Sequence, residues 1–507
     1  MIAFGCAIYR QTLFVVFVLS IFRICFLAVT TLYSYRILSN MWQKLKRRAR
    51  EKVKRNNLKK ILLLVAITLV MTSVAQAHVF MDCGVCSNRK EEKTKKPDKL
   101  KFGIDARIRY SYMDNIAWSS YRDGGEDLWD NRIRVGFDYR PTENVHFQLW
   151  GQYADTWGMP DSGWPSFRFE EDPDIYLANV EIENLFGGPF TLKLGRQRLD
   201  YGDFRVIGLC DWANVGPYLW DAAVISTRFK NGFIDLFYGR NYTKDYDTVS
   251  GFTLNHGHSF DGAGFYSHYQ LPEGQPYIAF EPFFLAKWDS ADNYTGNEDL
   301  KDYYLGMRSY GRDLLGGFNY DLTYVEEFGD YGSEDIEAFH FYAILGYQFA
   351  SLPWSPRLSA AYTVSSGDDD PNDNTHGRYE TAYGVWGAWY GNEYNLFWFK
   401  NFKDRQLNLE LFPADKLTVE LRYHNYKLEE EKGSWRNFRD ASGSLGDDIG
   451  DAVEFEFRYK FANNQDVGVL TGIFWPGDYV KDASAGFSDK ASWVGIDWHI
   501  NFESKIF

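Results

Sequence analysis

From Lys101 to the C terminus, apolar and polar residues alternate in segments of about ten residues, and turns separate the segments. In residues 102–112, aliphatic and aromatic residues occupy most even positions, whereas Asp105, Arg107 and Arg109 occupy odd positions. Successive side chains of a strand point to opposite faces, so each segment predicts a strand with one apolar and one charged face. Because arginines recur on the polar face of strand after strand, we expect that face to line a wet interior and the apolar face to contact lipid.

Short and long connections alternate along the chain. Eight short turns, such as Arg140–Asn144 and Phe412–Lys416, alternate with nine longer acidic or Gly-rich loops, which together connect about eighteen strands. This order predicts an all-β fold, a transmembrane antiparallel β-barrel over residues 101–507 with short periplasmic turns and long extracellular loops. The predicted long loops are 113–130, 155–173, 200–220, 242–258, 289–301, 328–334, 367–404, 429–449 and 476–490.

Composition excludes two other classes of protein. Aromatic residues make up 18% of the chain, yet its mean hydropathy is only −0.40. No run of about 18 apolar residues follows residue 77, which argues against a helical membrane bundle. Since the whole chain carries −14 and residues 1–77 carry +12, the remainder carries −26, which argues against nucleic-acid binding.

The N-terminal region has the pattern of a processing signal. Residues 41–59 are strongly basic, Ile61–Val74 is a short apolar core, and Ala75-Gln76-Ala77 is a small-x-small cleavage pattern. This order predicts a signal peptide over residues 41–77 and a mature chain that begins near His78. Residues 1–40 contain a further apolar segment, which is either a second anchor or the product of a start codon misassigned upstream of Met41.

Residues 78–100 are predicted to form a periplasmic tether. They are rich in Lys and Glu, and they contain Cys83 and Cys86. Outside the cytoplasm, this pair is expected to form a local disulfide.

Residue parity assigns charged side chains to the lumen once the apolar face is fixed. The two functions open to these side chains are a charged constriction for ionic or polyhydroxylated solutes, and ion-pair ladders that stiffen the wall. The predicted lumen cations are Arg107, Arg109, Arg134, Lys193, Arg228, Arg308, Arg422, Arg458 and Lys460. The acids on the same faces are Asp105, Asp138, Glu181, Asp235, Glu281, Asp321, Glu420, Glu454, Glu456 and Asp497.

Three more arginines, Arg196, Arg198 and Arg205, lie near or inside the third long loop. We hypothesise that this loop folds inward and that all three line the pore. Arg196 and Arg198 share parity with outward-facing Leu194, so they must either lie beyond the apolar band or be turned inward by a bulge.

A cluster of acids in another long loop predicts a metal or lipopolysaccharide site. Asp368, Asp369, Asp370 and Asp373 provide the carboxylate oxygens that calcium prefers. The alternative is a solvated acidic loop bridged to lipopolysaccharide by divalent ions. No cofactor is expected to be required.

Three short motifs follow one another along the chain: Gly195–Asp203 (GRQRLDYGD), Ser365–Pro371 (SSGDDDP) and Phe474–Tyr479 (FWPGDY). In this order they resemble the alginate export family of bacterial outer-membrane porins. The resemblance implies an outer-membrane channel for acidic polysaccharide or oligosaccharide that works with periplasmic export partners. The aromatic-rich last strand also predicts recognition by the barrel-assembly machinery.

Three other functions compete with this one. The first is a general diffusion porin without saccharide specificity. The second is an outer-membrane barrel enzyme, which is disfavoured because His146 and His340 are isolated on different strands and no nucleophile motif is present. The third is a soluble β-sandwich, in which Ile108 and Val135 would face a core instead of lipid.

Overall fold

The computed structural model describes residues 99–115, 125–157, 171–208, 219–242, 261–289, 299–370, 372–382, 400–435, 438–440, 442–483 and 489–506. The chain divides into two units, residues 1–84 and 85–507. The predicted signal peptide and the tether, except Lys99 and Leu100, lie outside the described residues. Among the described residues, no helix is both long enough and apolar enough to cross a membrane.

Eighteen strands form one closed antiparallel sheet, as the alternating segments predicted. Each strand pairs with its neighbour in sequence, and the last pairs with the first, for example through Ile104 and Phe502. Closure gives every strand two partners, as a lipid environment requires. The strands are β1 Leu100–Asp114, β2 Gly125–Thr142, β3 Val145–Trp157, β4 Glu171–Ile182, β5 Phe190–Gln197, β6 Leu219–Phe229, β7 Gly232–Tyr242, β8 Asp261–Gln270, β9 Tyr277–Asp289, β10 Leu300–Leu314, β11 Phe318–Tyr331, β12 Glu334–Gln348, β13 Arg357–Ser365, β14 Phe402–Ala414, β15 Leu417–Lys427, β16 Asp448–Ala462, β17 Gln465–Pro476 and β18 Ala491–Lys505.

The two faces of the sheet follow the predicted parity. Ile108, Val135 and Leu149 point outward and are exposed, Leu149 to 55%, whereas Arg109 and Arg134 point inward and are buried. The outer face is thus an apolar surface suited to lipid, and the inner face carries the charges.

Connections at one end of the barrel, the short-turn rim, are brief, as predicted. At the other end, the long-loop rim, the predicted loop 113–130 was too long, since residues 125–130 belong to β2 and pair with β1. A second predicted loop is absent. Residues 328–334 were expected to form a long loop, but β11 and β12 are joined by the two-residue turn Gly332–Ser333. Gly329 has a φ of 157°, which glycine tolerates, and it pairs with Asp302 within the ladder. A segment with the composition of a loop therefore forms mostly strand here.

Loop segments at the long-loop rim carry small elements of their own. Thr375–His376 pairs in parallel with β12, Gly433–Trp435 pairs with Phe438–Asp440 as a hairpin, and Asp478–Asp482 forms a single helical turn. The Tyr479 hydroxyl donates to the Phe438 carbonyl at 3.0 Å, and both residues are fully buried. These loops therefore pack on one another as an ordered layer.

Candidate functional site

The main feature of the lumen is the segment Arg198–Gly208, which leaves the end of β5 and folds inward; we call it the inward segment. The Tyr201 ring stacks on Tyr266 of β8 with a centroid distance of 4.7 Å. Its hydroxyl donates to Asp235 of β7 at 2.9 Å. Gly202 follows with a φ of 63°, a conformation that favours glycine, and it faces the Tyr266 hydroxyl. The segment is therefore held against the inner wall.

Further along, the inward segment reaches β12. The Arg205 guanidinium lies over the Tyr342 ring, 3.3 Å from its centroid, and it also pairs with Asp203. Arg205 is only 3% exposed. The hypothesis that the third long loop folds inward thus agrees with the observed contacts, which connect strands from β7 to β12.

Asp203 joins the inward segment to a charge cluster on the wall. Its carboxylate lies 3.9 Å from the Arg308 guanidinium of β10. Arg308 also binds Asp321 through two hydrogen bonds of 2.9 and 2.5 Å, and Glu281 at 3.0 Å. Burial raises the pKa of Asp203, but the charges of Arg205 and Arg308 outweigh burial and hold that pKa below its usual range. Asp203 therefore acts as an ionised link between loop and wall.

Arg198 is turned into the lumen. Its guanidinium binds Asp200 at 2.5 Å and donates to the Tyr176 hydroxyl at 3.2 Å. Arg134 lies on the same tyrosine, 3.9 Å from the ring centroid, and donates to Gln152 at 2.5 Å. Two of the predicted pore arginines thus meet at one aromatic ring.

Arg196 is placed differently. In the sheet register it lies opposite Ala178 and Asp221, on the outward face that it shares with Leu194. Its guanidinium binds both Asp221 oxygens at 3.0 Å. The strand keeps its alternation up to this residue, so the register separates Arg196 from the lumen side chains with which we had grouped it.

Most remaining lumen arginines have carboxylate partners. Arg109 binds Asp130 at 2.6 Å. Arg422 contacts three glutamates within 3.3 Å, and Arg458 contacts Asp466 and Asp497 within 3.2 Å. Arg107 lies on the same inner face of β1 as Arg109, and Arg228 lies over the Phe233 ring at 5.3 Å. The wall therefore has the features of the predicted ion-pair ladders.

A second loop segment, residues 372–382, also enters the lumen, which the sequence did not indicate. The Tyr379 ring stacks on His340 of β12 at 5.1 Å, and the Glu380 backbone N–H donates to Glu327 of β11 at 2.8 Å. Parity alone places His340 and Glu327 inside. It carries no information about which loop meets them.

The acidic cluster of this loop uses its carboxylates locally. Asp368 accepts from the Asp370 backbone N–H at 3.3 Å, and Asp373 accepts from that of Thr375 at 2.7 Å. Within the described ranges, no three acidic, histidine or cysteine side chains are grouped to hold a metal. Calcium at this loop stays a prediction.

Comparisons with known proteins agree with this architecture. The sequence profile described as Alginate export matches residues 98–493. No curated protein matches the chain.

Two similar solved structures are from Pseudomonas aeruginosa, the first of them an outer membrane protein. The first is opdK, at 10% identity and a TM-score of 0.54, covering 80% of this chain and 99% of that one. The second is OccK9 (OpdG), at 10% identity and a TM-score of 0.54, covering 80% and 98%. These likenesses show the fold, and the profile match covers most of the barrel. The chain therefore belongs to the alginate export family and is an outer-membrane β-barrel channel.

Proposed function

We propose that this channel passes acidic saccharides, and that the inward segment is its selective constriction. One observation carries the proposal: the segment brings Arg198 and Arg205 from a loop to the level of Arg134 and Arg308 on the wall. Guanidinium groups bind carboxylates through paired hydrogen bonds, so a cluster of them favours solutes that carry carboxylates.

The ion pairs of the wall are compatible with this function. A channel must bind its solute strongly enough to admit it and weakly enough to release it. A solute carboxylate at Arg308 must compete with Asp321 and Glu281, which already bind that guanidinium. Competition of this kind keeps each binding step weak, so that the solute moves on.

The near balance of lumen charge favours a second candidate, a general porin. Arg422, for example, is surrounded by Glu420, Glu454 and Glu456. A lumen of this kind would conduct ions with little preference. Family and fold favour transport over catalysis in either case.

The test is single-channel conductance of the protein purified from outer membranes and inserted into planar bilayers. Reversal potentials are measured under a salt gradient, and oligouronates or neutral oligosaccharides of equal length are then added. We expect anion preference and current blockade by the oligouronates at lower concentration than by the neutral sugars. Steady conductance without that difference would establish the general porin instead.

A further inference from the structure

The inner wall carries a row of aromatic rings near the short-turn rim, below the inward segment. Phe233 of β7 stacks on His268 of β8 with a centroid distance of 5.7 Å. His268 lies 6.4 Å from Tyr310 of β10, which lies 6.1 Å from Tyr277 of β9. Tyr201 of the inward segment stacks on Phe233 at 6.4 Å, so the row begins where the constriction ends.

Register shows that these rings face the lumen. Phe233 shares its face of β7 with Asp235, which binds Tyr201, and Tyr310 shares its face of β10 with Arg308. Aromatic girdles of membrane barrels face the lipid interface instead. An interfacial role therefore does not account for the row.

An arginine lies at each end of the row. Arg228 of β6 is 5.3 Å from the Phe233 ring centroid, and Arg312 of β10 is 5.4 Å from that of Tyr310 and 5.9 Å from that of Tyr277. Both arginines are exposed. Unlike Arg308, neither forms an ion pair within the described part of the chain. Their guanidinium groups can thus accept an external carboxylate without displacing an internal one.

The rings are also accessible. Tyr277 is 38% exposed, and Phe233 is half-buried. Together with Arg228, the row extends from β6 to β10, which is four strand spacings or roughly 19 Å. That length accommodates several pyranose rings.

We propose that this row is a saccharide-binding subsite at the periplasmic mouth of the pore, specific for oligomers of uronic acids. The apolar C–H face of a pyranose ring would stack on Tyr277 and Phe233, because both rings offer apolar surface to the lumen. The uronate carboxylates would bind Arg228 and Arg312. This inference rests on the proposed function and adds to it the first contact that a solute makes on entering from the periplasm.

The experiment measures how long an oligouronate blocks single channels when it is added on the periplasmic side. Tyr277→Ala and Phe233→Ala should each shorten the blockade between about two- and tenfold. Tyr269→Ala is the matched control, since Tyr269 is exposed beside His268 in sequence and faces outward. Wild-type electrophoretic mobility without heating confirms that each variant is folded.

A second pair of variants tests the arginines. Arg228→Gln combined with Arg312→Gln should shorten blockade by oligouronates and leave that by neutral oligosaccharides of equal length unchanged. If wild type is blocked but neither set of variants alters the blockade, the subsite is disproved while the proposed function stands. If oligouronates do not block wild type from either side, the proposed function fails, and the subsite fails with it.

Discussion

The Arg205 guanidinium lies 3.3 Å from the centroid of the Tyr342 ring, although Arg205 follows the fifth strand and Tyr342 belongs to the twelfth. This contact holds the far end of the inward segment against the wall. The near end is held by Tyr201 on Tyr266. The width of the constriction should therefore depend on both contacts.

Replacing Tyr342 with Ala should open the constriction. A desolvated cation–π contact contributes about 2 kcal/mol, and its loss would free the end of the segment while Tyr201 still holds its beginning. We expect larger and noisier single-channel conductance, measured in planar bilayers. Tyr342→Phe keeps the ring and should behave as wild type, and outward-facing Tyr238→Ala serves as the control. Equal conductance in all of these variants would show that the contact does not hold the segment.

The lowered pKa of Asp203 predicts how its effect on conductance depends on pH. Its pKa in the folded protein lies below the ordinary value of 3.8, since Arg205 and Arg308 outweigh the effect of burial. When the pKa of a carboxyl group is lowered by folding, its ionised form stabilises the docked segment at any pH above the pKa of the unfolded state. This stabilisation is lost as pH falls through the pKa of the folded state. The effect of Asp203, measured as the difference in conductance between wild type and Asp203→Asn, should stay constant from neutral pH down to about pH 4 and shrink only below it.

The control for this prediction is Asp203→Asn. It removes the titrating group, so we expect higher conductance already at neutral pH and a smaller change in acid. A step between about pH 5 and pH 7 in the difference between wild type and Asp203→Asn would contradict the assignment, because a carboxyl with a lowered pKa does not titrate there.

The strand number and the two faces of the wall could be predicted because alternation is a local property of the sequence. The face of the sheet on which Ile108 or Arg109 lies follows from the alternation of the neighbouring residues alone. The partners of the inward segment could not be predicted in this way. Nothing local to Arg205 indicates Tyr342, since the conformation of the whole loop determines where its side chains end. The same holds for Tyr379 and His340.

The position of Arg196 shows a related limit. Parity indicated an outward side chain, and the motif around it indicated a lumen role. In the structure, Arg196 retains its outward parity and binds Asp221, whereas Arg198, which lies past the end of the strand, turns inward. The alternation rule applies up to the strand end, and beyond it the backbone of the loop determines direction.

Gly136 should not tolerate a larger side chain. The Trp150 ring lies across the inner faces of Gly136 and Gly103, where an added Cβ would overlap it. Gly136→Val should destabilise the barrel by about 1–3 kcal/mol, because overpacking forces the indole out of place and brings the new Cβ to 2.7 Å from the Leu149 carbonyl oxygen. Samples are heated to increasing temperatures before electrophoresis. The measurement is the temperature at which the fast mobility of the folded barrel is lost.

Two controls separate this packing from a general effect of glycine. Gly151→Ala places its Cβ 3.6 Å from the nearest atom, an ordinary contact, and should be neutral. Gly136→Val in a Trp150→Ala background should cost less than in wild type, since the two changes are coupled through one contact. Additive effects would mean that the ring does not cause the destabilisation.

Arg422 should control ion selectivity as well as stability. Its guanidinium lies 3.1 Å from Glu420, 3.2 Å from Glu454 and 3.3 Å from Glu456, so Arg422→Gln leaves three carboxylates without their common cation. Breaking a buried pair in this way costs about 3–5 kcal/mol, and the unbalanced acids should shift the reversal potential toward cation selectivity.

Arg422→Lys keeps the charge and should keep the selectivity. Arg405→Gln, on the outer face of β14, should change neither property. An unshifted reversal potential in Arg422→Gln, with a folded barrel, would show that ions do not pass this cluster and that the conducting path lies along another part of the wall.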